Sequence, residues 1–166
     1  TLTRLRAVAT GPLASATNMP AAMYQSDEIG DLERDRVFAR DWVSPGLAAA
    51  IPDVGDHLTW TIADRPVFCV RDPDGRVRTF SNVCRHRMMT LVEGDGNSRR
   101  ITCPYHAWTY RTDGSLKSVP LRKGYEAEFE RRAASLGLEN IARVESYRGF
   151  IFGNKSLEGD NLEGFL

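Results

Sequence analysis

The chain has 166 residues, 42% apolar and 27% charged, a balance that suits one globular domain with room for a small appendage. Lys plus Arg and Asp plus Glu both number 22, so the formal charge is zero and composition gives no case for a nucleic-acid partner. The most apolar stretch, Leu47-Ala-Ala-Ala-Ile51, falls far short of the roughly eighteen residues of a membrane span, so no membrane partner and a cytoplasmic location are expected.

Residues 1–18 hold Arg4 and Arg6, no acid and many Ala and Thr, and read as a flexible arm. Ser26 can cap a helix over 27–40, with Asp27 and Glu28 favouring its positive end. Ile29, Leu32, Val37 and Phe38 would form its buried stripe. Short strands follow at Leu58–Ile62, Pro66–Arg71 and Arg76–Phe80, the last two joined by the turn Asp72-Pro-Asp-Gly75. Cys69 lies in the apolar run Pro66-Val-Phe-Cys-Val70 and reads as a core thiol. Gly94, Gly96 and Asn97 read as turn residues. Further strands are expected at 99–102, 107–111, 141–146 and 149–153, with a turn at Thr112-Asp-Gly114 and a short helix over 125–135. The fold class is mainly β, antiparallel, with an N-terminal helix.

The chemistry sits in Cys84-Arg-His86 and Cys103-Pro-Tyr-His106, which are separated by sixteen residues. The chain has three Cys and three His, and four of these six fall into two mixed pairs. A Rieske [2Fe–2S] centre takes two thiolates on one iron and two imidazoles on the other, so each loop would supply one ligand to each iron. A tetrahedral zinc site accepts the same donors, although its usual spacing pairs like with like. Four unrelated residues remain the third reading. With two Cys committed, only Cys69 is left, and no disulfide framework is possible.

The stretch from Cys84 to Leu116, CRHRMMTLVEGDGNSRRITCPYHAWTYRTDGSL, resembles the N-terminal Rieske [2Fe-2S] domain of the ring-hydroxylating oxygenase (Rieske non-haem iron oxygenase) α subunit family. The likeness extends upstream through Met19 to Trp42 and Ile51 to Arg87, and downstream through Val144 to Leu166. The motif CPYHAW sets it apart from small Rieske ferredoxins, which read CPxHG. Met88 departs from the family, which usually has Gly there.

The resemblance implies the Rieske fold of stacked antiparallel sheets with cluster-binding loops over residues 19–166. It implies a [2Fe–2S] cofactor on Cys84, His86, Cys103 and His106. It further implies a reductase or ferredoxin as electron donor, a homotrimer when intact, and a mononuclear non-haem Fe(II) in a catalytic domain absent from these residues. That iron needs two His and a carboxylate. Only His57 is left over, read as an exposed strand residue, so no catalytic residue is assigned and electron transfer is the expected role. The substrate, and whether it is dihydroxylated or demethylated, lies outside these residues. The alternative is a free-standing ferredoxin-type carrier, which a reading frame ending after Leu166 would favour.

Trp108 and Tyr110 are expected to pack behind the cluster as core residues that exclude water. Arg85 and Arg87 flank His86, where they would meet an acidic donor or simply be solvated, and Arg99 and Arg100 read as a solvated strand end. Trp108 stands where high-potential relatives carry a Ser hydroxyl, which argues for a potential toward the low end of roughly −150 to +300 mV.

Overall fold

The computed structural model describes residues 2–125 and 127–166. Helices α1 (Leu2–Thr10) and α2 (Asp27–Glu33) precede strands β1 (Val43–Leu47), β2 (Asp56–Ile62), β3 (Arg65–Arg71), β4 (Val77–Ser81), β5 (Gly96–Asn97), β6 (Ile101–Thr102), β7 (Thr109–Tyr110) and β8 (Leu116–Ser118). Helix α3 (Ala127–Arg132), strands β9 (Arg143–Tyr147) and β10 (Phe150–Asn154), and helix α4 (Leu162–Phe165) complete the order. All pairings between these strands are antiparallel, in three sheets ordered β1-β10-β9, β4-β3-β2-β5 and β6-β7-β8. The expected mainly β architecture is therefore present. No helix among the described residues is long and apolar enough to cross a membrane.

Strand β3 explains how the layers meet. Its side chains alternate across the sheet, yet Val67 to Val70 are all buried. Phe68 and Val70 join Ile101 and Tyr110 from the β6-β7-β8 sheet, whereas Cys69 joins Ile51 and Ile151 on the opposite side. The four-stranded sheet is thus the middle layer. Cys69 is fully buried and burial pushes its thiol up to about 12, an inert core group as its sequence context suggested.

The turns lock the small sheet onto the middle one. Asp72, at the β3–β4 turn, is buried and accepts hydrogen bonds from Thr112 Oγ1 and Arg78 Nε. Gly114, in the β7–β8 turn, has a φ of +87° and lies against the Phe80 ring of β4. Leu138 N–H closes the contact by donating to the Gly114 carbonyl at 2.7 Å.

Several expectations are corrected. Residues Leu2–Thr10, read as part of a flexible arm, are helical, although none of them is buried. The helix expected over 27–40 ends at Glu33 and continues as a π-helical turn, Arg34–Phe38. That wider turn shifts the phase of the stripe, so Ile29 is buried but Val37 and Phe38 are exposed. Ser26 stands at the N-cap, but its side chain makes no capping bond. Strand β1 was missed because Pro45 and Gly46 look like breakers; an edge strand with a bulge tolerates both. Gly96 and Asn97, read as a turn, pair with His57 and Asp56. That pairing covers His57, which is buried rather than exposed: a Cβ at Gly96 would lie 3.3 Å from its ring. The helix expected over 125–135 is found as α3 and a 3₁₀ turn, Ala133–Leu136, with Glu126 outside the described residues.

Candidate metal centre

The two motif loops have the same backbone plan. In the first, Cys84 N–H donates to the Met89 carbonyl at 2.8 Å, and Met88 N–H donates to the Cys84 carbonyl at 2.9 Å. In the second, Cys103 N–H donates to the Trp108 carbonyl at 2.8 Å, and Ala107 N–H to the Cys103 carbonyl at 3.0 Å. The residue four after each Cys is left-handed: φ is 57° at Met88 and 53° at Ala107. Only Gly adopts that region without strain, which explains the glycine usual at the position of Met88. The substitution leaves the loop in register with its counterpart and turns the Met88 side chain out to solvent.

Each loop rises from a built neck. Asn82 is buried beneath the first; its Oδ1 accepts from Leu91 and Val92 N–H, and its Nδ2 donates to the Val92 carbonyl at 2.8 Å. The second continues β6 and β7, where Thr102 pairs with Thr109. Asn82 went unnoticed in the sequence, because nothing but its place two residues before Cys84 marks it.

Cys84 and Cys103 are both buried in the core shared with Tyr110 and Trp108. At the tip, the His86 and His106 rings meet edge-on, their centroids 4.8 Å apart. The structure thus sorts two mixed pairs into a buried Cys pair and a His pair nearer the surface. His106 is half-buried, and its Nδ1 is buried without a hydrogen-bond partner among the described residues. A buried ring nitrogen with no partner suits a metal ligand. Desolvation, His106 and Arg87 hold His86 below its ordinary value, favouring the neutral imidazole that coordination needs. A buried Cys pair set apart from a His pair at the tip suits two linked irons better than one zinc ion.

Two aromatic residues do more than fill space. Trp108 stacks flat on His86, centroids 4.9 Å apart and planes 5° apart, and Phe129 of α3 backs it edge-on at 6.0 Å. Tyr110 is fully buried, and its hydroxyl lies 3.3 Å from Cys84 Sγ. The same oxygen accepts from Arg85 N–H at 3.1 Å, which leaves the hydroxyl hydrogen for the sulfur. Burial first, then the Cys84 contact, raise the Tyr110 pKa and keep that proton in place. In the sequence this donor is hidden, because the hydroxyl that marks high-potential relatives stands at the position of Trp108 and Tyr110 lies two residues beyond it.

Residues 41–147 match the family described as the Rieske [2Fe-2S] domain. The chain belongs to that family. The family's cofactor, a [2Fe–2S] cluster, matches the donor set of two Cys and two His gathered at the loop tips. Among its relatives is the biphenyl 2,3-dioxygenase subunit alpha of Rhodococcus jostii, 37% identical over 150 residues, covering 87% of this chain and 31% of that one. Naphthalene 1,2-dioxygenase from Rhodococcus sp., solved with indole bound, superposes with a TM-score of 0.86 at 33% identity, covering 99% of this chain and 36% of that one. The quaternary ammonium Rieske monooxygenase CntA matches with a TM-score of 0.80 at 29% identity, covering 90% of this chain and 41% of that one. This Rieske chain spans about a third of the length of the curated relatives it matches.

Proposed function

We infer that this Rieske chain is the domain through which electrons enter a ring-hydroxylating or demethylating oxygenase α subunit. Its own task is electron transfer within that oxidoreductase. In this reading Cys84 and Cys103 hold one iron as thiolates, and His86 and His106 hold the other as neutral imidazoles. The observation that carries the reading is the sorting of two mixed pairs into a buried Cys pair and an adjoining His pair, with His106 Nδ1 left unpartnered. Residues 19–166 make up the Rieske domain and residues 1–18 an appendage that supplies no ligand. The donor is a reductase or ferredoxin. The acceptor is a mononuclear iron in the catalytic domain of the same or a neighbouring subunit, in a homotrimer. The α-subunit relatives favour this over a free-standing carrier.

The bound cluster supplies reversible one-electron chemistry, at a higher potential than an all-thiolate cluster because imidazoles replace two thiolates. Each nearby residue has its part. Asn82 fixes the first loop, Trp108 keeps water from the inner side of His86, and Tyr110 donates to Cys84 Sγ. That last bond strengthens as charge on the sulfur grows, so it favours the reduced state. Its loss in Tyr110→Phe removes about 1 kcal/mol. The potential should therefore fall by about 40 mV, at 59 mV per tenfold for one electron. Protein-film voltammetry checks this, and an unchanged or raised potential would contradict it.

His57 is the one His outside the loops, and it is buried against Gly96. The described residues therefore offer no two-His-one-carboxylate site. Given a reductase, oxygen and an aromatic or quaternary ammonium substrate, the chain should take up one electron per cluster and form no oxygenated product. Single-turnover spectroscopy with product analysis tests this. Failure to accept an electron, or product formation by the chain alone, would sink the reading.

A further inference from the structure

The outer sheet β6-β7-β8 carries a charged face that the cluster does not use. Ile101 and Tyr110 point inward, so the strand alternation sends Arg100, Thr102, Thr109 and Arg111 outward. On β8, Leu116 packs inward opposite Tyr110, and Lys117 follows it at a bulge, half-buried, before the exposed Ser118 that pairs with Thr109. Arg100 and Arg111 are exposed, and both lie near enough to Lys117 to act on its charge. None of the three forms an ion pair among the described residues. The nearby carboxylate of Asp113 is turned into its own loop, where it accepts from Ser115 N–H and Oγ.

This face is the centre of a wider imbalance. The chain is neutral, yet residues 84–125 hold eight Lys or Arg and three Asp or Glu. Arg122 is paired with Glu130, whereas Arg85 and Arg87 are exposed and unpaired among the described residues. Arg100 precedes Cys103 by three residues of nearly extended chain, which sets it about 10 Å from the buried Cys side of the centre. The His86–His106 tip lies beside the exposed Tyr105 and Leu121.

We propose that the outer face of the β6-β7-β8 sheet, built on Arg100, Arg111 and Lys117, is where an acidic electron-donor protein docks. The proposal rests on the electron-transfer reading above and names the partner's chemistry and place. Docking there would use residues other than His86 and His106, which would remain for the acceptor. The transfer would be a one-electron step in which the donor is oxidised by one electron and the bound cluster would gain it, with no bond formed or broken.

The test uses the full native chain loaded with its cluster and a reduced, acidic plant-type [2Fe–2S] ferredoxin as probe. For Arg100→Gln/Arg111→Gln/Lys117→Gln, the second-order reduction rate should fall at least ~10-fold at low ionic strength, because three steering charges are lost. In ~0.5 M salt, where screening is nearly complete, the variant and the parent should agree within ~2-fold. The Kd for the oxidised ferredoxin, measured by titration calorimetry without turnover, should weaken in parallel. Dithionite reduction and the visible spectrum should not change. Arg4→Gln/Arg6→Gln removes two exposed charges on α1 and should leave rate and Kd as they are. A triple variant with the parent's rate, Kd and salt slope would overturn the docking face, as would an equal loss in the α1 control. A parent chain that dithionite cannot reduce would overturn the electron-transfer reading itself, and the docking proposal with it.

Discussion

Cys103→Ala is expected to abolish the cluster, taking bound iron and acid-labile sulfide from about two each per chain to near zero. Cys103 is buried with Cys84 in the core behind the loops, so no solvent thiol can take its place. The same change at Cys69 should leave the iron content intact. That thiol is fully buried on the other side of the middle sheet, among Ile51, Leu58 and Ile151. Its loss costs core packing and no ligand. Iron and sulfide assays on the two variants check the contrast. Equal loss of iron from both would mean that the cluster responds to stability rather than to ligation.

Gly114→Ala should lower stability by about 3 kcal/mol, the sum of backbone strain at positive φ and overpacking in the core. The added Cβ would stand 2.5 Å from Phe80 Cε1, and the ring has no room to retreat because Phe80 is fully buried. The damage would reach the metal centre. Gly114 presses the β7–β8 turn onto the middle sheet, and β7 carries the second cluster loop. Gly75→Ala is the matched control. It has a similar φ of +80° and nothing within 4 Å of the new Cβ, so it should cost about 1 kcal/mol from strain alone. Urea unfolding measures both. Equal losses in the two variants would show that Phe80 sets no limit.

The candidate ligands were legible in the sequence because ligand chemistry dictates residue type and spacing together. Cys84, His86, Cys103 and His106 could be picked out before any strand was placed, and the family match agrees with the chemistry read from them. Strands β2, β3, β4, β9 and β10 were legible for a similar reason: runs of apolar and β-branched residues end at turn signals. What escaped depends on contacts distant in sequence. Tyr110 is a hydrogen-bond donor to Cys84 only because β7 runs beneath the first loop, twenty-six residues away in the chain. His57 is buried only because Gly96 closes over it. Asn82 is a loop clamp only because Leu91 and Val92 return to it. Val37 and Phe38 kept their apolar character but lost the buried face to the π turn before them.

If His86 and His106 both bind one iron of a [2Fe–2S] cluster, pulsed EPR of the reduced protein, labelled with ¹⁵N at histidine alone, will see both of them. Two strongly coupled ¹⁵N nuclei are expected, reduced to one in His86→Cys and in His106→Cys. Strong coupling to no histidine nitrogen, or stoichiometric zinc without sulfide in protein made with ample iron, would contradict it.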